Sequence, residues 1–148
     1  MVLTIRQSVA LRRPAEAVFD YVSDFNRASE WRTEVRESAM SPPGPMTEGS
    51  ELHEVAVIMG RPVVTVSVVG ELEPGRRFTF DHVSGPIPVS GEYLVEPDGE
   101  GATLHYTLDA DLRGPWRIVA PYLRRSGPKT MAASLERLRA RVDGAEAP

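Results

Sequence analysis

The chain has 148 residues, a formal net charge of −4 and no cysteine. That length suits one domain with a sizeable core, burying roughly 68–70% of its unfolded surface. Without thiols there is neither a disulfide framework nor a thiolate metal site, and the acidic balance argues against a dedicated nucleic-acid binder.

The opening MVLTIRQSVALRRP has no long apolar run and no signal-peptide layout, and no segment is apolar enough to span a bilayer. A soluble, cytoplasmic protein is expected. Thr4 to Leu11 alternates through Ile5, Val9 and Leu11 as a first strand. Pro14 suits the first position of a helix over Ala15 to Val22, with Glu16 in its first turn. Asp24 is placed to cap a second short helix, Phe25 to Trp31.

From Val35 the pattern turns to strands and turns. The loop Ser41-Pro-Pro-Gly-Pro-Met-Thr-Glu-Gly49 is stiff and turn-rich. Strands are predicted over Glu51 to Met59, Val63 to Leu72, Phe78 to Val83, Val89 to Glu96 and Thr103 to Leu112. Their turns are Gly60-Arg61-Pro62, Glu73-Pro74-Gly75-Arg76, Gly85-Pro86-Ile87-Pro88 and Pro97-Asp98-Gly99-Glu100-Gly101. Such short links imply an antiparallel meander.

A long amphipathic helix closes the chain. Trp116, Val119, Leu123, Met131, Leu135, Leu138 and Val142 recur at helical spacing from Gly114 to Val142. Helical throughout, Trp116 to Val142 would measure about 40 Å. Pro121 and Pro128 are expected to kink or break it, the pair Gly127-Pro128 more than the first. A bent helix laid on a concave sheet leaves space beneath it. Residues 113–142 carry eight cations against Glu136 alone, a net +7 that leaves −11 for the rest. This is either a solvated helix face or a weak contact with an anionic membrane or acidic protein through Arg124, Arg125 and Lys129. One domain, 1–143, and a disordered tail, 144–148, are expected; a homodimer is among the assemblies allowed.

The order is strand, two short helices, six strands, long helix. Several local motifs accompany it: Arg13-Pro14-Ala15-Glu16-Ala17-Val18-Phe19, Ser23-Asp24-Phe25 with Trp31, and Leu72-Glu73-Pro74-Gly75-Arg76-Arg77-Phe78. Ser84-Gly85-Pro86-Ile87-Pro88-Val89, Gly99-Glu100-Gly101-Ala102-Thr103 and Asp109-Ala110-Asp111-Leu112-Arg113-Gly114-Pro115 complete the set. On these residues the chain resembles the polyketide cyclase/dehydrase branch of the START-like superfamily, from about residue 4 to 142. The resemblance implies an α+β helix-grip fold: a curved seven-stranded antiparallel sheet around a long C-terminal helix, with two short helices after the first strand. It also implies an apolar pocket between sheet and helix that holds a hydrophobic small molecule. Members of this superfamily include cyclases, dehydratases, lipid carriers and quinone-binding chaperones.

Strand parity supplies candidates for that pocket. Phe78, Phe80 and His82 share one face, as do Tyr93 with Val95, and Leu104 with Tyr106 and Leu108. His53, Val55, Val57 and Met59 share another. With Trp31, Trp116, Val119, Leu123 and Met131 these form the expected ligand-binding set, core packing being the alternative for most of them. His82 is either a general acid/base, with Tyr93 or Tyr106 orienting a carbonyl, or a hydrogen-bonded core histidine. Asp81 beside His82 is no dyad, because adjacent strand residues face opposite ways. His105 is expected at solvent, and Glu51 and His53 to meet at the rim. The three histidines lack the spacing of a metal-ligand set, and no cofactor is implied. Three readings follow: a cyclase or dehydratase, a non-catalytic carrier of a lipid, quinone or aromatic metabolite, and an interaction module using the basic helix face.

Overall fold

Residues 1–144 are described by the computed structural model. The strands are β1 (Val2–Leu11), β2 (Val35–Ser41), β3 (Glu51–Ile58), β4 (Arg61–Glu73), β5 (Arg77–Ser84), β6 (Val89–Asp98) and β7 (Gly101–Asp111). They form one antiparallel sheet in the order β1-β7-β6-β5-β4-β3-β2. Every neighbouring pair from β2 to β7 is joined by a direct link, as the turn chemistry requires; only β1 is carried across to the far edge. The two edges, β1 and β2, are bridged in the chain by α1 (Ala15–Ser23), a 3-10 segment (Phe25–Arg27) and α2 (Ala28–Trp31). This is the helix-grip arrangement expected from the sequence.

The two-residue turn between β3 and β4 is Met59-Gly60, with φ of 53° and 79°. Positive φ at both central residues matches the right-handed twist of the flanking strands. Arg61 and Pro62, expected in the turn, therefore begin β4 instead. Asp24 makes no side-chain cap to the segment after α1; its carboxylate pairs with Arg27 at 3.3 Å.

The terminal helix α3 spans Ala120–Gly144 without a break, which corrects the expected rupture at Gly127-Pro128. Pro121 falls in the first turn, where the missing N–H has no intrahelical partner to lose. Gly127 faces β1, and a Cβ there would run into the end of the Ile5 side chain. It is thus a close-approach residue that lets helix and strand meet. Trp116 and Val119 lie outside α3, in a separate 3-10 segment (Gly114–Val119) entered through Gly114 at φ 57°. Gly144 ends α3; the rest of the expected tail lies outside the described residues.

The apolar stripe of α3 divides in two. Met131, Leu135, Leu138 and Val142 are buried in the main core with Val9, Leu11, Val18, Phe19 and Leu104. Burial of each large aliphatic side chain favours this docking by about 1.5–3 kcal/mol. Toward its N-terminus only Ala120 is fully buried, packed in a smaller cluster with Ile87, Ala110 and Leu112. Between the two clusters Leu123, Ser126, Gly127 and Thr130 line a cavity.

Candidate cavity beneath the terminal helix

β5, β6 and β7 set Phe78, Tyr93 and Tyr106 directly opposite one another across the ladder. Sharing one face and one register, their rings stack at 4.7 Å and 4.5 Å between successive centroids. Trp31, at the end of α2, meets the stack edge-on, 6.1 Å from Tyr93 and 6.4 Å from Tyr106. Phe80 lies across from Gly91, where a Cβ would strike its ring; the glycine makes room for the aromatic.

Against this wall lies a cavity of about 200 Å³. Apolar side chains from the sheet (Phe80, Leu52, Leu108) face Leu123 and Met131 of α3 across it. An apolar cavity of about 150 Å³ suffices for a benzene ring, so a ring fits without rearrangement. Met59 and Tyr122 line the cavity yet are 55% and 48% exposed, which marks its opening between the β3–β4 turn and the start of α3.

The inner end is polar. Arg32 follows Trp31 directly and is only 7% exposed. Its guanidinium donates to Glu34 at 2.9 and 3.1 Å and to Glu54 at 3.0 and 3.4 Å. It also lies 6.0 Å from the Tyr106 ring centroid. Burial works against its charge, but Glu54, Tyr106, Glu34 and Tyr93 together outweigh burial, Glu54 foremost among them, and hold its pKa well above the usual arginine value. Ser134 of α3 accepts the Thr33 backbone N–H at 3.0 Å and donates to Glu34 at 3.3 Å. One hydroxyl thereby ties the helix to the ion cluster. Thr65 and Ser67 of β4 add two buried hydroxyls to the wall.

Burial raises the Tyr93 hydroxyl well above the ordinary phenol pKa, with Tyr106 adding to the effect. Burial likewise pushes Tyr106 up to about 12, against the opposing charge of Arg32. Both phenols are therefore neutral hydrogen-bond donors at physiological pH.

The sequence matches a family model described as polyketide cyclase/dehydrase and lipid transport over residues 2–143. The chain belongs to this family. Solved structures agree on the family's fold. The Thermus thermophilus protein TTHA0849 is 21% identical with a TM-score of 0.84, covering 98% of this chain and 100% of its own. A START superfamily protein from Mycobacterium smegmatis is 18% identical at a TM-score of 0.80, covering 96% and 98%. The Zhui aromatase/cyclase from Streptomyces sp. R1128 is 16% identical at 0.76, with both chains covered fully. Among curated proteins, no sequence matches.

Within this polyketide cyclase/dehydrase and lipid transport fold, the expected site residues separate into three groups. Val57, Met59, Phe80, Leu108, Leu123 and Met131 line the cavity, as do Tyr93 and Tyr106. Trp31, Phe78, Val95 and Leu104 are buried in the core behind it and do not reach the wall. Trp116 packs beside the smaller cluster near the opening, and Val119, half-buried in the same 3-10 segment, is also off the wall.

The histidines are not at the cavity. His82 is half-buried opposite Ser67 in the ladder, and its Nδ1 has no hydrogen-bond partner. Its register to Phe80 is regular, so it shares the face of Phe80 and Ser67, yet it is not among the residues that line the cavity. His53 is corrected to the outer face, where it meets Glu51 at 3.2 Å; Val55 shares that parity and is off the wall too. The inward parity on β3 is that of Leu52, Glu54, Ala56 and Ile58, and Val57 joins them on the wall near the end of the strand. His105 is at the surface between Ser8 at 2.7 Å and Glu96 at 3.0 Å, and Asp81 is exposed on the face opposite His82.

Of the loop Ser41–Gly49 and the turn Gly85-Pro86-Ile87-Pro88, only the second reaches the cavity, through Ile87. Gly44, Pro45 and Met46 instead border a separate groove beside α1, of about 660 Å³. Although larger, that groove is walled by exposed Asp20, Gly44, Pro45 and Pro74, so a ligand there would stay largely in water. Arg32, Glu34 and Glu54 escaped the sequence reading. Glu54 had a legible signal, a lone charge sharing parity with Leu52, Ala56 and Ile58; Arg32, in a turn after Trp31, had none. No helix among the described residues is long and apolar enough to cross a membrane.

Proposed function

We propose that this protein binds a hydrophobic, ring-bearing small molecule in the cavity beneath α3, with the ligand's polar end at the Arg32–Glu34–Glu54 cluster. The observation that carries this reading is the wall itself: mostly apolar on both sides, with its charged groups, Arg32, Glu34 and Glu54, gathered in one cluster. That is the composition of small-molecule sites generally, where apolar area supplies affinity and a few polar groups fix orientation. The family's name, with its cyclases and lipid transport, supports the same class of ligand. Native mass spectrometry of freshly purified protein tests it. A co-purifying small molecule is expected, and Ala56→Phe, which puts a ring into the cavity of about 200 Å³, should remove it while the fold persists. Retention of the same mass by Ala56→Phe would refute the location.

Cyclase or dehydratase chemistry is a second reading, favoured by the presence of acid and base on one wall. Tyr106 or Tyr93, held protonated, would hydrogen-bond a substrate carbonyl, and the Glu54 carboxylate would accept a proton from the adjacent carbon. Tyr106→Phe should then stop turnover of a diketone-bearing aromatic precursor while leaving ligand uptake intact. Unchanged turnover would clear Tyr106 of that role, and no turnover by the wild-type protein would leave carriage, without chemistry, as the function.

A further inference from the structure

Resting on the small-molecule reading, we infer that the cavity selects ligands whose polar end donates hydrogen bonds, an alcohol, phenol or amine, and rejects carboxylates. The buried arginine looks at first like an anchor for an acid. Its donors are already taken. Four hydrogen bonds bind the guanidinium to Glu34 and Glu54, which uses nearly all its N–H groups. Arg32, Glu34 and Glu54 are the charged side chains on the wall, one cation against two anions.

Among its charged groups, what the inner end offers in surplus is therefore acceptors; the Tyr93 and Tyr106 hydroxyls donate but bring no charge to offset a carboxylate. Glu34 Oε2 receives Ser134 at 3.3 Å, and Glu54 Oε2 receives Arg32 at 3.4 Å, both long for bonds to a carboxylate. Each oxygen has lone-pair capacity left for a ligand donor. A hydroxyl or ammonium entering here gains a charge-assisted hydrogen bond. A carboxylate would have to sit beside two others, or displace one of them from Arg32, and either leaves a poorly compensated charge out of water. The cations Arg124, Arg125 and Lys129 do not relieve this, because they are exposed and off the wall. Glu54 is the specificity-determining residue in this scheme, since it brings the second negative charge.

Isothermal titration calorimetry with naphthylmethanol, naphthylmethylamine and naphthoate separates the possibilities at neutral pH. These probes share one ring system and differ only in the polar end. In the wild-type protein the alcohol and the amine should each bind at least about tenfold tighter than naphthoate. Glu54→Gln should weaken the amine most and the alcohol less, and strengthen naphthoate by about tenfold or more. Naphthoate binding as tightly as the alcohol to wild type would overturn the inference while the cavity reading stands. Failure of all three to bind would bring down both. The wild-type series decides the matter even if Glu54→Gln does not fold.

Discussion

Replacing Arg32 with Met removes the cation that Glu34 and Glu54 share and leaves the methylene volume largely in place. Breaking a buried ion pair by deleting one partner costs about 3–5 kcal/mol, because the remaining charge is stranded out of water. Here two carboxylates are stranded, but their side chains are 24% and 16% exposed through the cavity. That access places the expected loss near the lower end, about 3 kcal/mol. For a chain of this size it corresponds to a fall in melting temperature of about 6–12 °C. The assay is urea denaturation followed by circular dichroism at neutral pH, with a thermal melt alongside. The triple variant Arg32→Met, Glu34→Gln, Glu54→Gln should recover much of the loss, since it removes the stranded charges. A single variant within about 1 kcal/mol of wild type, or a triple variant less stable than the single, would refute the electrostatic account of this cluster.

The stacked tyrosines predict an alkaline limit. The folded Tyr106 pKa, about 12, lies above the unfolded 10.0, so its neutral form favours the fold. This contribution is complete below pH 10.0 and is lost as pH climbs toward about 12, amounting to something on the order of 3 kcal/mol. Phenolate absorbance should show Tyr93 and Tyr106 silent until the protein unfolds; their ionising with the chain still folded near pH 10.0 would contradict the burial argument. The outer face of α3 carries a separate expectation. Arg124, Arg125 and Lys129 are exposed there, and Ile118 just before the helix is 82% exposed. Weak, salt-sensitive sedimentation with phosphatidylserine vesicles is expected, lost when all three cations become Glu; binding that ignores either salt or those substitutions would count against a basic docking face.

The architecture was legible because its signals are local and redundant. Period-two alternation, Gly- and Pro-bearing turns and the spacing of Met131, Leu135, Leu138 and Val142 each point to one fold. The aromatic wall was half legible. Parity correctly pairs Phe80, Tyr93 and Tyr106 on the inner face, but parity alone cannot tell a residue on the cavity surface from Phe78 or Leu104 one layer behind it. His82 illustrates a different limit. Counting by twos from Phe80 gives its face, and the regular ladder between them agrees, but how far along that face the cavity extends depends on what packs over it. Pro128 misled for a related reason: a proline costs a helix one hydrogen bond, and the packing of Met131 through Val142 outweighs that cost. The ion cluster required tertiary knowledge, since Arg32 and Glu34 come from a turn, Glu54 from β3 and Ser134 from α3.

The central claim is that a ligand enters between the sheet and α3. Chemical-shift mapping of the isotope-labelled protein on adding naphthylmethanol tests it most directly. The account predicts perturbations concentrated at Ala56, Phe80, Tyr106, Leu108, Leu123 and Met131, on both walls of the cavity. Perturbations confined to Asp20, Asn26 and Met46 around the outer groove, or none at saturating probe, would contradict it.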